Sequence, residues 1–296
     1  MTQGAGRYAP SPTGELHLGN LRTAVLAWLF ARSTGRRFLL RIEDLDTDRV
    51  RPGLAEHQLA DLAVLGVTFD GAPVLQSERG SAYEAALAAL AGTTYECYCT
   101  RREIAEASSA PHGAIPRYPG TCRELTDTER VERRRERPAA LRLRADAARQ
   151  TVRDLLHGDI TGTVDDFVIR RGAGGYAYNL AVVVDDADAQ VDQVVRGDDL
   201  LPAAVNQAWL AERLGLTPPT YAHVPLAVNA AGARLAKRDG PVTLAALTAR
   251  GRSTGDVLSL LAVSLGLAQP GESVGLTDLL SRFEPAQLPR QPWIVD

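Results

Sequence analysis

The sequence predicts an α/β protein: a Rossmann-type parallel sheet, split by an α+β insertion and followed by a small helical C-terminal region. Three observations carry that expectation. Strand-like and helix-like stretches alternate over residues 5–90, as in parallel βαβ units. The character changes near residue 92, where cysteines, prolines and an arginine-rich run begin, and sheet-forming sequence returns after about residue 174. Residues 241–296 then carry helical signals without a catalytic pattern. The expected divisions are therefore 1–91, first half of the sheet domain; 92–174, insertion; 175–240, second half; and 241–296, helical region.

The elements follow in order. "GRYAPS" reads as a strand leading into a Pro/Gly turn. In "HLGNLRTAVLAWLFARSTG", Leu18, Leu21, Val25, Trp28 and Leu29 recur at helical spacing, and Gly35 supplies a C-terminal stop. "RRFLLRIEDLD" is a strand ending in acids, and "GLAEHQLADLAVLGV" a second helix. After the insertion, "YAYNLAVVVDDADAQVDQVVRG" looks strand-like, "AAVNQAWLAERLG" helical, and "YAHVPLAVN" completes the sheet. "DVLSLLAVSLGL" and "LTDLLSRF" are the helical signals near the end.

At 296 residues the chain has room for one large domain with an insertion, or two modest domains. Hydrophobic residues make up 45% and charged residues 23%, an ordinary globular balance. The N-terminus lacks the apolar core of a signal peptide, and no apolar run approaches the roughly 18 residues of a membrane span. A cytoplasmic location without membrane contact is the expectation, and a monomer the default. The net charge of −3 rules out a globally basic polyanion binder, so any nucleic-acid contact must be a local patch.

Chemistry concentrates in a few places. In "RYAPSPTGELHLGN" a strand ends, a turn follows, and His17 and Asn20 sit where a helix begins. Unpaired N–H groups at a helix start attract phosphate, and an imidazole can donate to phosphate oxygens. Small residues at Gly14 and Gly19 allow a nucleotide to approach the backbone. Far along the chain, "NAAGARLAKRDG" holds Lys237, the only lysine among 33 basic residues. A compact ammonium is not interchangeable with a planar guanidinium.

Together these strings resemble the paired HIGH and KMSKS signatures of class I aminoacyl-tRNA synthetases, here His17-Leu18-Gly19-Asn20 and Arg234-Leu235-Ala236-Lys237-Arg238. "RYAPSPTG", "RIEDLD", "YNLAVVVDD" and "VVRGDDL" narrow the resemblance to the glutamyl group, from about residue 7 to residue 240. Asn20 stands where the signature has its second His, and Ala236 where it has Ser; neither departure removes the main charged group, but each bears on one phosphate contact. The resemblance implies catalytic roles for His17, Asn20 and Lys237, and an ATP site formed by His17, Gly19, Asn20, Leu235, Ala236 and Lys237. Mg2+ would accompany the ATP. In amino-acid activation, charge shifts toward the departing pyrophosphate. An ammonium that tightens on it stabilises the transition state above the ground state.

For glutamate, the resemblance implies that Arg7 grips the side-chain carboxylate and that Tyr178 and Arg196 close the pocket. Tyr8, Ala9, Pro10 and Ser11 would line it, and Glu43 would pair with the α-ammonium. Glu43 and Arg196 are expected near strand C-terminal ends, where open α/β sheets bind ligands.

Cys97, Cys99 and Cys122 lie within 26 residues, a clustering that suits a metal better than a disulfide framework in a reducing compartment. Tyr118 stands four residues before Cys122. This Cys-x-Cys … Tyr-x3-Cys arrangement resembles glutamyl-Q tRNA(Asp) synthetases and implies one structural zinc held by Cys97, Cys99, Tyr118 and Cys122. Water or His112 as fourth ligand, and three cysteines simply packed as small hydrophobes, are the competing readings. The run Glu129–Arg137 interleaves signs, which favours a solvated helix face with internal ion pairs over direct phosphate binding.

Only 59 residues follow Lys237. A stem-contacting helical region fits there, but a separate anticodon-binding domain of upwards of about 50 further residues does not. The expectation is an enzyme that transfers activated glutamate to queuosine in the anticodon of tRNA(Asp), with part of the insertion receiving the acceptor. A splayed base in a single-stranded loop is a suitable target. The alternatives are a short synthetase charging tRNA(Glu) and a non-catalytic paralogue that binds tRNA or glutamate.

Overall fold

The computed structural model describes residues 3–107, 117–233, 235 and 242–295. In chain order the elements are β1 (Ala5–Tyr8), α1 (Leu18–Ser33), β2 (Arg37–Ile42), α2 (Leu54–Val64), β3 (Val74–Leu75), α3 (Gly80–Ala89), β4 (Thr94–Cys97), α4 (Arg101–Ala107), α5 (Asp127–Glu136) and β5 (Ala140–Leu143). Then come β6 (Arg149–Asp154), β7 (Gly158–Thr163), β8 (Val168–Arg170), α6 (Tyr178–Asp188), β9 (Val191–Gly197), α7 (Leu201–Arg213), β10 (Thr220–Val224) and β11 (Ala227–Val228). The chain closes with α8 (Leu244–Ala249), α9 (Thr254–Ser264), α10 (Leu276–Arg282) and β12 (Trp293–Ile294).

The main sheet has the order β3-β2-β1-β9-β10-β6-β7 and is parallel except for the β6–β7 hairpin. The order reverses between β1 and β9, which opens a crevice at their C-terminal ends. Side chains alternate across the sheet: Val195 and Ala222 join one core cluster, Val194 and Tyr221 the other.

Helix α1 shows how the sequence builds one of these layers. Its apolar residues surround it rather than forming a stripe, because it lies between the sheet and the C-terminal helices α9 and α10. Leu21, Val25 and Leu29 have no exposed surface. Truncating Leu29 to Ala would cost about 2–5 kcal/mol. Thr34 caps the helix and Gly35, at φ +67°, takes the left-handed turn that ends it. Arg22 is buried within the same layer. It donates to the Pro225 carbonyl at 2.7 Å and to Ser264 Oγ at 3.1 Å, tying α1 to the crevice wall and to the end of α9. Burial lowers its pKa to about 10, against the field of Asp198.

One expectation fails. "YAYNLAVVVDDADAQ" is not a strand: Tyr178–Asp188 is helix α6, and only Val191–Gly197 forms the strand β9. Leu180 to Asp186 are all buried, because α6 is packed against α3, α7, β8 and β9. A short apolar run buried on every side carries no periodicity to tell helix from strand.

Residues 92–174 contribute to two places. β4, β5 and β8 form a separate antiparallel sheet, whereas β6 and β7 extend the main one. Helix α5 buries no residue and carries the ion pairs Arg130–Asp127 at 3.0 Å and Arg133–Glu136 at 3.5 Å, the solvated face read from its interleaved signs. Near the C-terminus, β12 pairs in parallel with β11, so Trp293 N donates to the Leu226 carbonyl at 2.8 Å beside the crevice. Among the described residues, no helix is long and apolar enough to cross a membrane.

Candidate active site

A cavity of about 650 Å³ occupies the crevice between β1 and β9. Its lining includes Arg7, Tyr8, Ala9, Pro10, Ser11, His17, Gly19, Asn20, Glu43, Tyr178 and Arg196, so residues expected from separate motifs converge. Leu235 does not line it; this side chain is buried in the core cluster beneath. Ala236 and Lys237 lie outside the described residues.

At the nucleotide-like end, His17 caps α1. Its Nδ1 accepts from the backbone N–H of Gly19 at 3.1 Å and of Asn20 at 3.3 Å, and Asn20 Oδ1 accepts from His17 N–H at 3.1 Å. This capping box uses an imidazole where Ser or Thr is usual. Because Nδ1 is an acceptor, the ring proton sits on Nε2, and burial lowers the pKa, keeping the ring neutral. Nε2–H is thus left as a donor for an anion at the helix start. Gly19 is required for this: a Cβ there would meet His17 Cε1 at 2.9 Å. Asn20 spends its amide oxygen on the cap, leaving its NH2 as the remaining donor. Leu18 N–H bonds the Val242 carbonyl at 2.7 Å, which ties the helix start to the chain just beyond the lysine-bearing stretch.

The loop after β1 is fixed from two sides. Glu43 N–H donates to the Pro10 carbonyl at 2.9 Å, and buried Gln58 of α2 donates through Nε2 to the carbonyls of Ser11 and Gly14. Gln58 carried no signal in the sequence beyond being a polar residue on a helix.

The other end is a cluster of buried charges. Arg7 Nε lies 3.3 Å from Asp186 Oδ1; Arg41 reaches Asp186 at 2.5 Å and Glu43 at 3.2 Å. Asp185 takes Arg79 at 2.8 Å, Gln76 at 2.8 Å and Tyr83 Oη at 2.9 Å. Burial alone would raise the Asp186 pKa, but Arg41 and Arg7 outweigh it and hold the carboxylate below its ordinary range. For Glu43 burial wins over Arg41 and Arg7, and the pKa is raised. A cationic ligand group beside Glu43 would therefore stabilise its charged form. Asp185 and Asp186 end the apolar run "VVVDD", and two acids inside such a run were the available sign that they are buried and paired.

Arg196 approaches the cavity from β9, held differently. Its Nε donates to His223 Nε2 at 3.1 Å, and its Nη1 to Gln207 Oε1 at 2.7 Å and to Tyr178 Oη at 3.3 Å. The Leu200 carbonyl accepts from Nη2 at 3.3 Å. Among the described residues no carboxylate pairs with it.

Away from the crevice, the sulfurs of Cys97, Cys99 and Cys122 lie within 4.8 Å of one another. Tyr118 Oη is 3.5 Å from Cys97 Sγ and 3.8 Å from Cys99 Sγ, and the Cys99 and Cys122 sulfurs are 3.5 Å apart. A tetrahedron with metal–sulfur bonds of about 2.3 Å has edges of about 3.8 Å, so this donor set fits a zinc-like ion. Burial pushes the Cys99 thiol up to about 12, so an ion coordinated there would have to displace its proton. The buried guanidinium of Arg142 stacks 3.7 Å from the Tyr118 ring centroid and would offset the charge of a thiolate cluster. His112 lies outside the described residues.

Comparison with known proteins agrees with this geometry. Residues 5–268 match the family of class I tRNA synthetases (E and Q), catalytic domain. A glutamyl-Q tRNA(Asp) synthetase of Nocardia farcinica is 62% identical over 295 residues, covering 99% of this chain and 93% of that protein. One from Cutibacterium acnes is 51% identical, covering 93% of this chain and 80% of its own length. A solved glutamate tRNA ligase of Elizabethkingia meningosepticum, in complex with its amino acid, matches all of this chain and 67% of its own, with TM-score 0.83 and 26% identity. The chain belongs to the class I (E and Q) tRNA synthetase family, among the glutamyl-Q tRNA(Asp) synthetases.

Proposed function

We propose that the protein activates L-glutamate with ATP and transfers the glutamyl group to queuosine in the anticodon of tRNA(Asp). The observation that carries this reading is one cavity lined by His17 at the start of α1, two buried arginines and a carboxylate. An amino acid with two carboxylates and one ammonium matches that complement. Arg7 takes the side-chain carboxylate, Glu43 the α-ammonium, and Tyr178 and Arg196 close the pocket around Tyr8, Ala9, Pro10 and Ser11. The α-carboxylate attacks the α-phosphorus of Mg2+-bound ATP, forming glutamyl-adenylate and releasing pyrophosphate. His17 donates through Nε2–H to the phosphates, Gly19 leaves room for its ring, Asn20 offers its NH2, and Lys237 neutralises the leaving charge. A queuosine hydroxyl then attacks the adenylate carbonyl, and AMP leaves.

Leu235, expected to touch ATP, packs in the core cluster. Cys97, Cys99, Tyr118 and Cys122 would hold one structural zinc, which supplies a folding constraint for the small antiparallel sheet rather than catalysis. The protein works as a monomer in the cytoplasm. Isotope exchange between pyrophosphate and ATP tests the activation step: exchange should depend on glutamate and not on glutamine. Exchange independent of the amino acid, or none with any tRNA present, would refute the reading.

A further inference from the structure

Arg196 is fixed by a buried chain that no sequence motif announced. An arginine Nε always carries its proton, so His223 Nε2, 3.1 Å away, must be a lone-pair acceptor. The ring proton is then on Nδ1, which donates to Asp154 Oδ2 at 2.6 Å. Asp154 is itself saturated: Oδ2 also accepts from His223 N–H at 3.0 Å, and Oδ1 from the N–H groups of Leu156 and His157 at 2.8 and 2.9 Å. His223 has no exposed surface, and Asp154 and Arg196 are almost as deeply buried. Three strands supply the three residues: β6, β10 and β9.

The order of groups matters. A carboxylate bonded directly to Arg196 would cancel its charge, as Asp186 partly does for Arg7. Interposing a neutral imidazole fixes the guanidinium plane but keeps the carboxylate one ring away. Arg196 therefore stays oriented and electrostatically unspent, ready for an anion in the cavity.

We propose that His223 and Asp154 are positioning residues for amino-acid selection, holding Arg196 so that, closing the pocket beside Arg7, it helps favour an anionic side chain over its neutral amide. This rests on the proposed glutamate activation. The test is pyrophosphate exchange on the full chain, with KM measured separately for glutamate and ATP, and with glutamine as competitor. His223→Met should raise the glutamate KM by about ten-fold or more, leave the ATP KM within about two-fold, and narrow the preference for glutamate over glutamine. His223→Gln, which restores an acceptor, should recover most of the loss. Wild-type exchange with glutamate alongside an unchanged KM in His223→Met would overturn the proposal. Equal shifts for glutamate and ATP would overturn it too, since general loosening of the core explains them. Absence of wild-type glutamate exchange would instead sink the activation reading itself. Should His223→Met fail to fold, the 15N imidazole spectrum of the wild type decides. A proton on Nδ1 with Nε2 bare is the expected result, and a proton on Nε2 would contradict the relay.

Discussion

Two arginines face the same cavity from neighbouring strands, and the protein holds them in opposite ways. Arg7, on β1, shares Asp186 with Arg41 inside an ionic cluster. Arg196, on β9, rests on neutral acceptors: an imidazole, a side-chain amide, a phenol and a backbone carbonyl. The first arrangement binds structure together, since every member is charged and buried. The second leaves charge available, since no carboxylate pairs with Arg196 among the described residues. In the proposed reading both touch glutamate, so a shared ligand does not require a shared support.

The largest expected effect separates holding the substrate from reacting it. Lys237→Ala should lower kcat for glutamate-dependent exchange by about 100- to 1000-fold while the glutamate KM stays near wild type. Arg196→Leu should do the reverse, raising KM first. Equal kcat losses in both would erase the distinction. Next comes stability. Arg7→Leu leaves Asp186 short of a partner in a buried ionic cluster and should cost about 3–5 kcal/mol. Arg196→Leu strands only neutral acceptors and should cost about 1–3 kcal/mol. Urea denaturation of both variants compares them directly, and a larger loss in Arg196→Leu would reverse the account.

A smaller effect is expected with pH. Burial, the leading cause, and the nearby Arg196 lower the pKa of His223 despite Asp154, and burial lowers that of His17. As pH falls through about 6.5, the unfolded chain takes up protons that the folded chain does not. Their stabilising contribution, complete above that pH, is therefore lost progressively toward the lower folded-state values. His223→Gln should flatten this slope in denaturation measured between pH 5 and 8. The smallest effect on the cavity should come from the metal. Protein purified without chelator should hold about one zinc per chain. Its removal should lower the melting temperature yet leave the glutamate KM unchanged. A changed KM would mean that the cysteine cluster and the crevice are coupled.

Much of the crevice was legible because its residues cluster in short strings: "RYAPSPTGELHLGN" alone supplies Arg7, Ser11, His17 and Asn20. Glu43 could be placed because "RRFLLRIE" is plainly a strand and the acid follows it. What holds those residues was not legible. His223 and Asp154 meet only because β10 and β6 pair, a register set by tertiary structure 69 residues apart in sequence. Asp186 was hidden by the reading of α6 as a strand, which gave its side chain no path to Arg7 or Arg41. Local pattern finds the groups facing the ligand, whereas their supports come from distant strands and leave no local pattern.

The central claim is the acceptor. Glutamate activated with ATP should be offered to two purified RNAs, queuosine-containing tRNA(Asp) and tRNA(Glu), and the labelled product identified. Label on tRNA(Asp) that disappears when queuosine is absent is the predicted result. Label on tRNA(Glu), with none on tRNA(Asp), would contradict it.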